Sequence, residues 1–191
     1  MAYIRRIEEI LRVIEQVSEK RNLPIIGPIK GKVLDDVVIQ TKPKVILEIG
    51  TLVGYSAIRM SRFLTSGARI VCVEISKSFA EEAQDNISKA GVSDMIQIIV
   101  GDAEEVIPNL KETVDLLFLD AEKTHYLTYL KLAERMLHKG TKIVADNAGM
   151  AASEMQNFLT YVRESQLYQS KYHDFDLSGW HDGVEVTTKI S

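Results

Sequence analysis

The chain has one cysteine, Cys72, so it cannot form an internal disulfide. A lone thiol in the apolar run Ile70-Val71-Cys72-Val73 fits a buried strand residue in a reducing compartment, and a cytoplasmic protein is expected. No stretch approaches the roughly 20 apolar residues that a membrane-spanning helix needs. Arg5 and Arg6 are followed at once by Glu8 and Glu9, so neither a secretory leader nor a membrane anchor is expected at the start. Histidine is sparse, and no pair stands at zinc-ligand spacing with cysteine partners. No Ser-His-Asp arrangement can be argued from residue order. Repeats, low-complexity tracts and linkers are missing. An excess of positive charge is missing too: 23 Lys and Arg against 27 Asp and Glu give a net charge of −4. That sign disfavours general nucleic-acid binding and leaves room only for a local patch of Lys30, Lys32, Arg59 and Arg62.

What remains is ordinary for a globular chain: 191 residues, 46% hydrophobic and 26% charged. This size and balance suit one domain over 1–191 with a core that needs no disulfide. Ile4, Ile7, Leu11, Ile14 and Val17, with Ile10 beside them, form a helical stripe over residues 1–20. The stripe packs on the domain itself or, read as a short heptad seam, on a second copy in a homodimer. Pro24, Gly27, Pro28 and Gly31 predict a loop over 22–32, with a second helix from Gly31 to Thr41. Residues 1–42 are then a helical extension covering the site, and 43–191 the core.

Within that core, apolar strands and helices alternate. Strands are expected at Lys44–Ile49, Arg69–Val73, Met95–Val100, Val114–Leu119 and Lys142–Ala145. Helices are expected at Tyr55–Leu64, Glu104–Leu110, Tyr126–Leu137 and Ser153–Glu164, with one more opened by a Ser78/Glu81 capping box and ending near Gly91. The tail, Tyr168–Leu177 and Gly183–Ile190, alternates like an antiparallel pair. The fold class is therefore α/β: a doubly wound, mostly parallel seven-stranded sheet with an antiparallel C-terminal strand and an N-terminal helical extension.

Open parallel sheets bind ligands at the C-terminal ends of their strands, so those ends carry the functional reading. The first ends in Glu48-Ile49-Gly50-Thr51-Leu52-Val53-Gly54-Tyr55-Ser56. Its two glycines fail the G-x-G-x-x-G dinucleotide fingerprint. The second ends at Glu74, where an acid can accept from both ribose hydroxyls. The third ends at Asp102-Ala103, where Asp102 lines an adenine pocket or caps the next helix. The fourth ends at Asp120-Ala121-Glu122-Lys123 and the fifth at Asp146-Asn147. Two carboxylates and an amide oxygen are hard donors suited to Mg²⁺, Mn²⁺ or Ca²⁺, although Asp and Asn at such places are equally turn formers and caps.

These stretches, in order, resemble the metal-dependent catechol O-methyltransferase and caffeoyl-CoA O-methyltransferase family. The match runs from Ile26-Gly27 and Lys30-Gly31 through Glu48-Ile49-Gly50 and Gly54-Tyr55-Ser56-Ala57 to Val73-Glu74. It continues through Val100-Gly101, Phe118-Leu119-Asp120 with Lys123, and Ala145-Asp146-Asn147, and closes at Asp182-Gly183. The resemblance implies S-adenosylmethionine as cofactor, surrounded by Ile26, Glu48, Gly50, Tyr55, Ser56, Glu74, Asp102, Ala103 and Asp120. It further implies a divalent metal on Asp120, Asp146 and Asn147, with Lys123 as catalytic base beside Asp120. The acceptor would be a catechol-like small molecule whose adjacent hydroxyls chelate the metal.

The chain departs from the animal catechol enzyme at the acceptor side. Glu122 stands where an aromatic residue precedes the lysine, and Pro24 stands at another gatekeeper position. Asp176 is the counterpart of a late carboxylate that receives the second hydroxyl, and Trp180 either replaces the lost aromatic contact or packs near a turn. Two rival readings are a methyltransferase acting on a hydroxylated uridine of tRNA, and a non-catalytic cofactor-binding protein that interacts through its first helix.

Overall fold

The structure, a computed structural model, describes residues 2–177 and 179–191. Helix α1 (Ala2–Arg21) buries Ile7, Leu11 and Ile14, and its apolar stripe lies against α3 (Tyr55–Ser61) and α4 (Lys77–Ala90) of the same chain. Lys20 and Arg21 sit in its last turn, where cations suit the helix dipole.

Helix α2 spans Gly27–Thr41, so the loop expected over 22–32 is in fact half helix. Pro28 explains the difference. In the first helical turn its missing N–H removes no hydrogen bond, so proline there starts the helix rather than breaking it. Other boundaries also moved. The N-cap of α4 is Ser76, whose hydroxyl accepts from Phe79 N, and not Ser78. Helix α6 (Tyr126–Ala133) ends in a 3-10 turn, Glu134–Met136. Strand β5 consequently starts at Leu137, which pairs with Val114 across a register irregularity. Residues 149–155 form turns, and α7 runs Gln156–Glu164.

Strands β1 (Val45–Ile49), β2 (Arg69–Glu74), β3 (Ile96–Val100), β4 (Val114–Leu119) and β5 (Leu137–Ala145) are parallel. With β6 (Tyr168–Asp176) and β7 (His181–Lys189) they form one seven-stranded sheet in the order β3-β2-β1-β4-β5-β7-β6. Strand β7 lies between β5 and β6 and is antiparallel to both.

Side chains alternate between the two covered faces, as the strand period of two requires. Ile46, Ile70, Cys72, Leu116, Phe118 and Val144 meet α1–α4 on one side. Leu47, Ile49, Val71, Val73, Leu117, Leu119 and Ala145 meet α6 (Tyr126–Ala133) and α7 on the other. Each fully buried residue of this size contributes about 1.5–3 kcal/mol, so the parallel sheet is a rigid platform. Because β1–β5 run the same way, Gly50, Glu74, Gly101, Asp120 and Asp146 all arrive at one edge.

Candidate active site

The site starts from a backbone requirement. Gly50 has φ +87°, and a Cβ built on it would lie 2.2 Å from the carbonyl oxygen of Asp120. Only glycine fits, so the turns after β1 and β4 touch. Beyond it, Thr51 N and Leu52 N donate to Glu74 Oε2 at 3.0 and 2.8 Å, and Ser76 N donates to Oε1 at 2.9 Å. Glu74 thus ties the loop after β1 to the end of β2.

Glu48 lies beneath the same loop. It is fully buried and takes hydrogen bonds from Ser56 Oγ, from Thr51 Oγ1 at 3.0 Å and from Cys72 Sγ at 3.0 Å. Burial pushes its carboxyl up to about 7 despite these three donors.

Above this floor is a cavity of about 550 Å³. Ile26, Gly50, Tyr55, Ser56, Glu74, Asp102, Ala103, Asp120, Glu122, Lys123 and Asn147 line it, as do Pro24 and Ile25. Glu48 and Asp146 stand behind its wall rather than in it. Asp102 lines the cavity and also caps α5 (Ala103–Val106) by accepting from Glu104 N at 2.8 Å. His125 and Tyr129 line the same end, with His125 Nδ1 2.5 Å from Glu104 Oε1. Neither carried a role from the sequence, because a histidine in a 3-10 turn and a tyrosine in the helix after it carry no spacing signal of their own.

At the other end, Lys123 Nζ donates to Asp120 Oδ1 at 3.1 Å. Asp146 is 2% exposed. Lys30 Nζ donates to its Oδ2 at 2.9 Å and approaches Oδ1 to 2.7 Å at an angle too poor for a hydrogen bond, so Oδ1 has no donor among the described residues. Burial and the nearby Asp120 charge push the Asp146 carboxyl up, against the pull of Lys30. Burial draws the Lys30 ammonium down, but Asp146 and Asp182 outweigh it and hold it above its ordinary value. Asn147 adopts φ +60° and donates from Nδ2 to Asp182 Oδ2 at 2.9 Å. Among the described residues no three His, Cys, Asp or Glu gather as a metal cluster.

Two expectations about charge and shape need correction. The basic patch does not exist as a surface. Lys30 is buried between Asp146 and Asp182, and Arg59 and Arg62 both pair with Asp35, leaving Lys32 alone exposed. Trp180 is 48% exposed at the turn between β6 and β7, so it is not packed, and neither it nor Asp176 lines the cavity. Asp182 carried no assigned role from sequence, and Lys30 none beyond that basic patch, although both fell within matched stretches.

The family model described as O-methyltransferase matches residues 4–169. The chain belongs to the O-methyltransferase family. The methyltransferase is 41% identical to catechol O-methyltransferase B of Danio rerio over 188 residues, covering 93% of this chain and 70% of the relative. It is 35% identical to the catechol O-methyltransferase of Mus musculus over 174 residues, covering 87% and 65%. The chain thus spans about two thirds of the length of these relatives. Among solved structures, it resembles an O-methyltransferase from Bacillus cereus in complex with SAH (TM-score 0.85, 29% identity, 95% and 90% of the two chains). It also resembles one from Streptomyces achromogenes, involved in tomaymycin synthesis and solved with SAM (TM-score 0.87, 26% identity, 96% and 90%). None of the described helices is long and apolar enough to cross a membrane.

Proposed function

We propose that this methyltransferase moves the methyl group of S-adenosylmethionine to one hydroxyl of a catechol-like small molecule held by a divalent cation. One observation carries the reading. Asp120, Lys123 and Asn147 share a single cavity with the glycine loop and Glu74, while Asp146, next to Asn147 in the chain, keeps a buried oxygen without a hydrogen-bond donor among the described residues. Two carboxylates and an amide oxygen fit Mg²⁺, Mn²⁺ or Ca²⁺ by donor hardness. The cavity volume falls inside the range of about 300–1,000 Å³ common to small-ligand sites.

The cofactor supplies an electrophilic methyl group on a sulfonium, and a cation held by Asp120, Asp146 and Asn147 supplies positive charge that favours an ionised acceptor oxygen. The protein does the rest. The Gly50 turn and Glu74 hold the nucleoside side, with Asp102 and Ala103 at the adenine end. Pro24, Ile25 and Ile26 form an apolar wall that keeps water from the reacting atoms. A phenol ionises near about pH 10, so a base is needed near neutrality. Lys123 Nζ is the group at hand and, as the neutral amine, would accept the hydroxyl proton to become the ammonium, with Asp120 holding it in place. Glu122 lines the acceptor side of the cavity and would help set which phenol is taken.

A small-molecule acceptor is favoured over tRNA because Lys30, Arg59 and Arg62 are spent on buried or half-buried carboxylates. The test is methyl transfer to a catechol with Mg²⁺ and with excess chelator. Asp146→Ala combined with Asn147→Ala should abolish cation-dependent turnover and keep most cofactor affinity. Full turnover by the wild type in chelator refutes the reading.

A further inference from the structure

Three donors converge on one buried carboxylate that the reaction as described does not use. Asp182, the second residue of β7, is fully buried. Its Oδ2 accepts from Lys30 Nζ at 2.5 Å and from Asn147 Nδ2 at 2.9 Å, and its Oδ1 accepts from Met150 N at 3.0 Å. A carboxylate can accept from all three at once. An amide in its place offers one oxygen and must turn its NH₂ against at least one of the donors.

The consequence falls on Asn147. Both polar contacts of its amide, to Asp182 Oδ2 and to Met150 Sδ at 3.6 Å, use Nδ2. The amide oxygen is therefore left for another partner. Lys30 carries the same influence to Asp146, since one ammonium donates both to Asp182 Oδ2 and to Asp146 Oδ2. The main chain reinforces the side chain: Gly183 O accepts from Ala148 N at 2.9 Å. A Cβ at Gly149 would lie 2.8 Å from Gly183 N and 2.9 Å from the Asp182 carbonyl carbon, so the two segments pack backbone to backbone.

We propose that Asp182 is a positioning residue for the cation-binding set: it orients the Asn147 amide with its oxygen free for the cation and, through Lys30, holds Asp146 in place. This rests on reading Asp120, Asp146 and Asn147 as the cation's ligands. Groups that orient metal ligands without touching the metal commonly change metal affinity by about 10–100-fold when lost.

The experiment is a Mn²⁺ titration of the purified full chain, followed by electron paramagnetic resonance, with S-adenosylmethionine affinity and thermal melting measured on the same samples. Asp182→Asn is nearly isosteric and guards against the unfolding that Asp182→Ala risks. The expected result for Asp182→Asn is a Mn²⁺ Kd raised by about 10–100-fold, an unchanged cofactor Kd, and turnover that recovers at saturating Mn²⁺. Wild-type Mn²⁺ affinity in Asp182→Asn overturns the proposal and leaves the cation reading standing. Cofactor affinity and melting temperature falling in step with Mn²⁺ affinity also overturn it, because Asp182 would then be a structural residue only. A wild type that takes no Mn²⁺ and turns over in chelator overturns the cation reading and this proposal together.

Discussion

Replacing Glu48 by glutamine should make the protein more stable in mild alkali while changing little in mild acid. Glu48 is fully buried, and its carboxyl is pushed from an ordinary 4.5 up to about 7 by that burial. The folded chain therefore holds this proton more tightly than the unfolded chain does. The stability that Glu48 contributes is fully present below pH 4.5 and is lost as pH rises through about 7. At about 1.4 kcal/mol per pH unit the loss comes to about 3 kcal/mol. Glutamine keeps the shape, one acceptor and no charge, and the neighbouring Ser56 and Thr51 hydroxyls can each turn to donate or accept. Urea unfolding at pH 5 and at pH 8 would measure it. The wild type minus Glu48→Gln difference should move by about 2.5 kcal/mol against the wild type between the two values, the rest of the loss falling below pH 5. Other titrating groups, Asp146 among them, are common to both proteins and cancel. Parallel pH profiles for the two chains would refute the argument, since they would mean that Glu48 is ionised at no cost in the fold.

Two further outcomes test the local geometry. Gly50→Ala places a side chain at φ +87° and 2.2 Å from the Asp120 carbonyl, forcing apart the loops after β1 and β4. The backbone conformation alone costs about 1–2 kcal/mol, and turnover should fall by about 100-fold, as it does when reacting groups are displaced by an ångström; a well-folded variant with wild-type turnover contradicts the contact. Ser76→Ala removes the α4 cap and should cost about 1 kcal/mol in denaturant unfolding. Ser78→Ala should stay within about 0.5 kcal/mol, and the reverse ranking would return the cap to Ser78.

Much of the site was legible before any coordinates, for a physical reason. In a parallel sheet every strand points its C-terminal end at the same edge, so locating the strands locates the ligand. Gly50, Glu74, Asp102, Asp120 and Asn147 reach the cavity on that logic alone. Helix starts were less legible. Pro28 and Ser76 show why: proline and serine act as breaker or starter according to one residue of phase, which only the packed helix settles.

Local pattern along the chain therefore specified the alternating elements, the covered sheet and the chemical types gathered at its edge. Periodicity and turn chemistry act over a few residues and survive in any window of the sequence. Tertiary structure alone decided that Glu48 lies under the cavity floor, that Arg59 and Arg62 share Asp35, and that β7 slides between β5 and β6. That insertion brings Asp182 to Lys30 across 152 positions, and to Asn147 across 35. Charge pairing and strand order are settled by which buried groups must satisfy one another in three dimensions, and no spacing in the sequence records that.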